Sequence, residues 1–154
     1  MQFFADENFP VRLVRILDHF DADSSFEHLI DAMERGTRDV EWIQTLANRS
    51  PRPAVITGDG RILRNAAELQ VLRANPLTMF VLASGWVHLP WEEYVLKFLK
   101  VWPRIRESAG AREPCVFEVP SRTSPTSRSP MTQERSRLTW PDPQRPRSRA
   151  DKPS

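Results

Sequence analysis

Cysteine is almost missing from this chain: Cys115 stands alone among 154 residues. One thiol cannot close a disulfide within the chain or build a cysteine-based zinc site, and it fits a reducing cytoplasm. No apolar run approaches the roughly 18–20 residues that a bilayer-spanning helix needs, so no membrane partner is expected. The start, MQFFADEN, carries acids where an export signal would carry bases, and no such signal is read there. Glycine is scarce too, with five in all, and no glycine-rich phosphate loop appears. Neither a Ser/His/Asp triad nor a cysteine nucleophile is suggested.

The net charge of +2 hides a split. Residues 121–154 hold eight Lys/Arg against three Asp/Glu, whereas residues 1–120 hold fourteen against seventeen. The basic segment is rich in Ser, Pro and Arg and nearly free of large apolar side chains. It cannot bury enough surface to offset the entropy of ordering, so residues 120–154 are expected to form a disordered tail. Its charge would give at most weak, salt-sensitive affinity for nucleic acid.

The body alternates. MQFFA reads as a buried strand, and Pro10 suits the first turn of a helix through VRLVRILDHF. Residues 22–30 are ambiguous, with a short strand near Ser25–Leu29. A second helix begins at Thr37–Asp39 and ends near Arg49. AVIT reads as a strand, residues 66–74 as a helix, and LTMFVLA as a strand. Pro90 opens a long helix interrupted at Pro103, and CVFEV closes the body. This order predicts an α/β fold: a three-layer α/β/α sandwich with a mainly parallel central sheet. The all-apolar AVIT and LTMFVLA suit central parallel strands.

In such a sheet ligands bind outside the carboxyl ends of the strands. Asp6 follows the first strand, and Asp59 follows AVIT between Gly58 and Gly60. Both acids therefore fall at one edge, within several ångströms if their strands are neighbours. Two carboxylates that close repel unless a cation or a proton lies between them. A hard dication with oxygen ligands, Mg²⁺ or Mn²⁺, is the natural counter-charge. Two acids of the second helix compete for third place. On a helical wheel Asp39 lies roughly 50° from the centre of the buried face and Glu41 roughly 150°. Asp39 is thus the better inward acid, although a first-turn acid also suits the helix dipole. Glu7 lies in the turn with its direction open, and Asn8 is placed to orient Asp6 or hold a water.

DENFP, GTRDVEWIQTLA, VITGDGRILRNAAEL, FVLASGWVHLPWEE and VFEV, taken in order, resemble the PIN-like nuclease domains, most closely VapC-type toxins of bacterial toxin–antitoxin pairs. The resemblance covers about residues 1–119. It implies an Mg²⁺-dependent ribonuclease whose acids cluster at the strand ends, here Asp6, Asp39 with Glu41, and Asp59. It also implies an antitoxin protein as partner and a tendency to dimerise. Such nucleases often carry another acid after the next strand, where this chain has Ser84.

An acidic pocket must still attract a polyanion. Arg61 and Arg64 after GDG, with Arg35 and Arg38, are placed to hold RNA phosphates. Trp86, His88 and Trp91 are placed to stack bases or to pack at a helix start. Two rival classes share parts of this pattern. A receiver-like signalling domain also pairs acids after its first strand, but it needs a lysine after the last strand. The body has only Lys97 and Lys100, both inside the long helix. A non-catalytic binding module would keep the fold and use the arginines and the tail.

Overall fold

The computed structural model describes residues 1–110 and 113–121; from residue 122 on, the expected tail lies outside them. Five strands, β1 (Gln2–Ala5), β2 (Ser25–His28), β3 (Ala54–Thr57), β4 (Met79–Leu82) and β5 (Val116–Val119), pair in the order β2-β1-β3-β4-β5. Every pairing is parallel. Five α-helices accompany them: α1 (Val11–Phe20), α2 (Leu29–Ala32), α3 (Asp39–Ala47), α4 (Ala66–Ala74) and α5 (Trp91–Ala109). Short 3-10 helices at Gly60–Leu63 and Ser84–His88 follow β3 and β4. None of the helices described is long and apolar enough to cross a membrane.

Side-chain alternation along the strands divides the core into two layers. On one face Phe3, Ala5, Ile56, Phe80 and Leu82 pack against α1 and α5 through Leu13, Leu17, Phe98, Trp102 and Ile105. On the other, Phe4, Val55, Met79 and Val81 pack against α3 and α4 through Trp42, Ile43, Leu46 and Leu72. The result is the expected three-layer sandwich. β3 and β4 are buried at every residue, as their apolar sequences require.

One local expectation fails and one is exceeded. The long helix is not interrupted at Pro103 but runs through it to Ala109. Trp102 and Ile105, buried on either side of the proline, anchor both halves of α5 to the same core. The ambiguous segment holds more than a strand, since β2 passes directly into the single turn of α2. His28 caps that turn, its Nδ1 accepting the Ile30 N–H at 3.2 Å.

A second buried acid, Asp21, ties the far end of the molecule together. It accepts hydrogen bonds from Trp102 Nε1 (3.0 Å), Ser24 Oγ (2.9 Å), the Asp23 N–H (3.1 Å) and Arg106 Nη1 (3.2 Å). Burial opposes its charge, but these donors outweigh burial and hold its carboxyl below the usual range. The folded form therefore keeps Asp21 ionised more readily than the unfolded chain. The stabilisation is present above the unfolded pKa and is lost as pH falls through the folded one. Asp21→Ala, which strands the buried Trp102 indole N–H, is expected to cost about 2–3 kcal/mol in urea unfolding at pH 7. Asp21→Asn should cost less, and its deficit should shrink toward pH 3. A deficit independent of pH would contradict the charge-based role.

Candidate active site

The strand order reverses at β1, which has β2 on one side and β3 on the other. The carboxyl ends of β1 and β3 therefore open the crevice in which doubly wound sheets place their ligands. Asp6 directly follows β1, and its backbone N–H extends the β1–β3 ladder to the Ile56 carbonyl at 3.1 Å. Asp59 follows β3 by two residues. One hydroxyl links them: Thr57 donates to Asp6 Oδ2, and the same hydroxyl oxygen accepts the Asp59 N–H at 3.0 Å. The two acids share one edge, as the strand positions predict.

Asp6 is the deeper of the pair, with 4 % of its surface exposed. Burial raises its pKa to about 6, against the lowering effect of bonds from Thr57 and the Asn8 N–H (3.1 Å). The loop that carries it is pinned from two sides. His28, aligned beside Ala5 on β2, donates Nε2–H to the Phe9 carbonyl at 2.8 Å while Nδ1 accepts, which defines a neutral tautomer. The Asn8 backbone also lies so close to Gly58 that any Cβ there would collide with its carbonyl. Gly58 thus makes room for the protein's own loop, not for a ligand. Glu7 and Asn8 are both exposed, but Asn8 turns back on Asp6, whose charge its N–H and its side chain both favour.

Asp59 is not free. Arg61 binds it side-on, with Nε at 2.9 and 3.0 Å from its two oxygens and Nη2 at 2.7 Å from Oδ2. These bonds, against partial burial, hold the Asp59 carboxyl below its usual range. Arg61, expected on a phosphate, is here the counter-ion of the acid beside it. Arg38 is likewise committed, bound through Nε and Nη2 to Glu41 at 3.0 and 2.8 Å. Both members of that pair are exposed to solvent. Arg35 and Arg64 are exposed and make no ion pair among the described residues.

Asp39, half-buried at the start of α3, accepts the indole N–H of Trp42 at 2.8 Å. Its neighbour is an acid that sequence reasoning missed, Glu68 on the first turn of α4. The Glu68 carboxyl is held above its usual range by burial, then by the charge of Asp39, a hydrogen bond with Asp39, and the charge of Asp59. Beside these charges Glu68 holds its proton more readily than a free glutamate does. Glu68 stands three residues beyond the cap Asn65, in a capping-box position. That pattern announces a helix start and says nothing of a site. Thr57 was equally hidden, although a lone hydroxyl ending a buried apolar strand before GDG is a readable signal.

Ser84 is exposed at the start of the 3-10 helix after β4. Trp86 is a core residue, not a base platform: it is 1 % exposed and donates Nε1–H to the Val119 carbonyl at 2.9 Å. His88 is exposed. Tyr94, buried against Trp86, has its phenol raised by burial and by the charge of Asp6. A cavity of about 730 Å³ lies at the opposite, amino-terminal edge of the sheet between Met1, Ala22, Pro51 and Pro76. Asp23 is the one acid in its wall. The gathering of acids favours the carboxyl edge.

A family model described as "PIN like domain" matches residues 1–84, more than half of the chain. The chain therefore belongs to the PIN-like domain family. The match spans Asp6, Asp39, Asp59, Glu68 and Ser84 and stops before α5. No curated protein and no solved structure matches the chain.

The donor set suits a hard dication in kind, being carboxylate oxygen throughout. Negative charge also gathers there, since the charges of Asp39 and Asp59 help to hold the partly buried Glu68 carboxyl above its usual range. Among the described residues no three acid, histidine or cysteine side chains form a ready metal cage. The side chain that stands in the way is Arg61, which is 84 % exposed and has solvent to move into.

The raised pKa of Asp6 carries a stability consequence. The folded state binds this proton with a pKa near 6, against 3.8 for an aspartate in water. Stability therefore falls as pH rises between those values, and the full penalty is present above them. In chelator, Asp6→Asn should be more stable than wild type at pH 7.5 by about 1–3 kcal/mol, with the gain vanishing near pH 4. Urea unfolding at both pH values checks this. An Asp6→Asn variant less stable than wild type at pH 7.5 would contradict the burial argument.

Proposed function

We propose that the chain is a metal-dependent endoribonuclease, and that it serves as the toxin of a toxin–antitoxin pair. The observation that carries the reading is the junction of Asp6 and Asp59 through the Thr57 hydroxyl at the strand-order reversal, within a PIN-like domain. Asp6 and Asp59 would hold the ion, with Asp39 and Glu68 adding negative charge beside them. A bound Mg²⁺ or Mn²⁺ would supply Lewis acidity toward the phosphodiester and a water of lowered pKa.

The residues around the acids divide the remaining work. Thr57 fixes the direction of Asp6, and His28 with Gly58 fixes the loop beneath it. Arg61 neutralises Asp59 in the resting state and moves to a backbone phosphate when RNA arrives. Each exchange trades one charge-assisted bond for another, so the change costs little. Glu7, Asn8 and Ser84 are exposed and would be open to the waters of a bound ion. Glu41 stays with Arg38 and has no part in the chemistry. An antitoxin protein would act by covering this rim, and a second copy of the chain is the other partner in view.

A second reading has one observation in its favour. Asp59 already has a cation in Arg61, and Ser84 occupies the place of a further acid. A PIN-like module that binds RNA without cutting it would look the same at rest.

Purified full-length protein should cleave RNA with Mg²⁺ or Mn²⁺ and stop in EDTA. Asp6→Asn and Asp59→Asn should each lower the rate at least about 100-fold, the scale of losing a main charge-stabilising group. Expression of the wild type should arrest growth, and Asp6→Asn should relieve the arrest. RNA bound equally with and without metal, and never cut, would favour the module. Soluble, active and harmless protein would remove the toxin role while leaving the nuclease.

A further inference from the structure

The rim holds more acid than base, and two of the arginines expected to receive RNA are committed elsewhere. Arg61 is on Asp59 and Arg38 is on Glu41. Arg49 and Arg106 are also bound to carboxylates, Glu27 and Asp21, and Arg106 lies at the far end of the molecule. Arg12 differs. It lies on the first turn of α1, six residues after Asp6, and its guanidinium carbon stands 4.5 Å above the centre of the Trp91 ring. It makes no ion pair among the described residues, and the fold, not an acid, fixes its position.

Trp91 is the first residue of α5 and is half-buried. It stacks on Tyr94 with ring centres 6.2 Å apart and planes within 24°. Tyr94 in turn lies close enough to Asp6 to feel its charge. Stacked contacts thus run from Arg12 through Trp91 to Tyr94, at the starts of α1 and α5, which follow the carboxyl ends of β1 and β4. With Arg12 and Tyr94 both on its ring, Trp91 serves as a support for the guanidinium. The base-stacking role suggested by its sequence position passes to Arg12 itself, whose planar group can stack on a base as well as bind a phosphate.

We propose that Arg12, held over Trp91, anchors a backbone phosphate of single-stranded RNA as the strand enters the acid rim. This rests on the nuclease reading and adds to it the side from which substrate arrives, between the starts of α1 and α5. A fixed cation here offsets the repulsion that exposed Glu7, beside Asp6, and Glu92, next to Trp91, would exert on a polyanion, Glu93 being paired with Lys97. Arg61 is recruited only when it leaves Asp59, whereas Arg12 is ready beforehand. The device uses a part of the chain outside the family match, because Trp91 and Tyr94 lie beyond residue 84.

The test uses the full chain in an Asp6→Asn background with Mg²⁺, so that binding is read without cleavage. The probe is a labelled single-stranded RNA of mixed sequence, about 12 nucleotides long, within the usual site size of such grooves. Fluorescence anisotropy is recorded from about 50 to 300 mM KCl. Arg12→Gln should weaken binding about five- to tenfold at the low-salt end, and the salt slope should fall by about 0.7, one phosphate contact. Arg12→Lys should keep the slope and recover part of the affinity. In the chain with Asp6 intact, Arg12→Gln should raise KM more than it lowers kcat.

If Arg12→Gln binds as tightly as its parent with the same slope while the wild type still cuts RNA, the Arg12 assignment fails and the nuclease reading survives. If Arg12→Gln lowers the melting temperature and Arg12→Lys restores neither affinity nor slope, the residue is only structural and the assignment again fails. If the parent neither binds nor cuts RNA, both fall together.

Discussion

A carboxylate removed from water must be protonated, paired or hydrogen-bonded, and Asp6 is where this constraint falls in the fold. It is almost fully buried, yet no cation among the described residues pairs with it. The surroundings are arranged to hold it regardless. Thr57 donates to it, the Asn8 N–H donates to it, and the β1–β3 ladder fixes its backbone. A core residue with no task would be replaced by an apolar one at a gain in stability. Asp6 is thus a buried acid held without a cation among the described residues, and the family match spans the same edge.

The second acid shows how the protein tolerates crowded charge at rest. Asp59 is more exposed and takes Arg61 as its counter-ion; Glu68, partly buried beside Asp39, holds its proton more readily instead. These are two different answers to one electrostatic problem, and both can be undone. An arginine in solvent can turn away, and the Glu68 proton can leave. Burial sets the order: Asp6 cannot move, whereas the partners of Asp59 and Glu68 can. Arg12 lies outside this exchange because an aromatic ring, not a carboxylate, holds it.

Much of this was legible in the sequence, for physical reasons that differ by element. The apolar strands AVIT and LTMFVLA announce a buried parallel sheet, and helical periodicity places α1, α3 and α4. The edge shared by Asp6 and Asp59 follows from strand polarity alone. The wheel argument that ranked Asp39 above Glu41 rests on local geometry, and Glu41 indeed lies on the solvent side with Arg38. What stayed hidden depends on contacts between distant residues. Nothing local says that Thr57 bridges two acids, that Glu68 meets Asp39 across two helices, or that Asp21 waits for Trp102 eighty-one residues away. The resting partners of the arginines were hidden for the same reason. Arg61 and Arg64 flank GDG equally in sequence, and only the fold reveals that one of them is already on Asp59. Pro103 was read as a break because local propensity disfavours it, yet packing on either side overrides that preference.

The central claim is that acids from separate strands meet at one rim and are reconciled there by a dication. Anomalous diffraction from a crystal soaked in Mn²⁺ tests it most directly. A manganese peak bound by Asp6 and Asp59, with the Arg61 guanidinium swung off Asp59, is the result predicted. A crystal that shows no peak at that edge, with Arg61 still closed on Asp59 at saturating Mn²⁺, would contradict it.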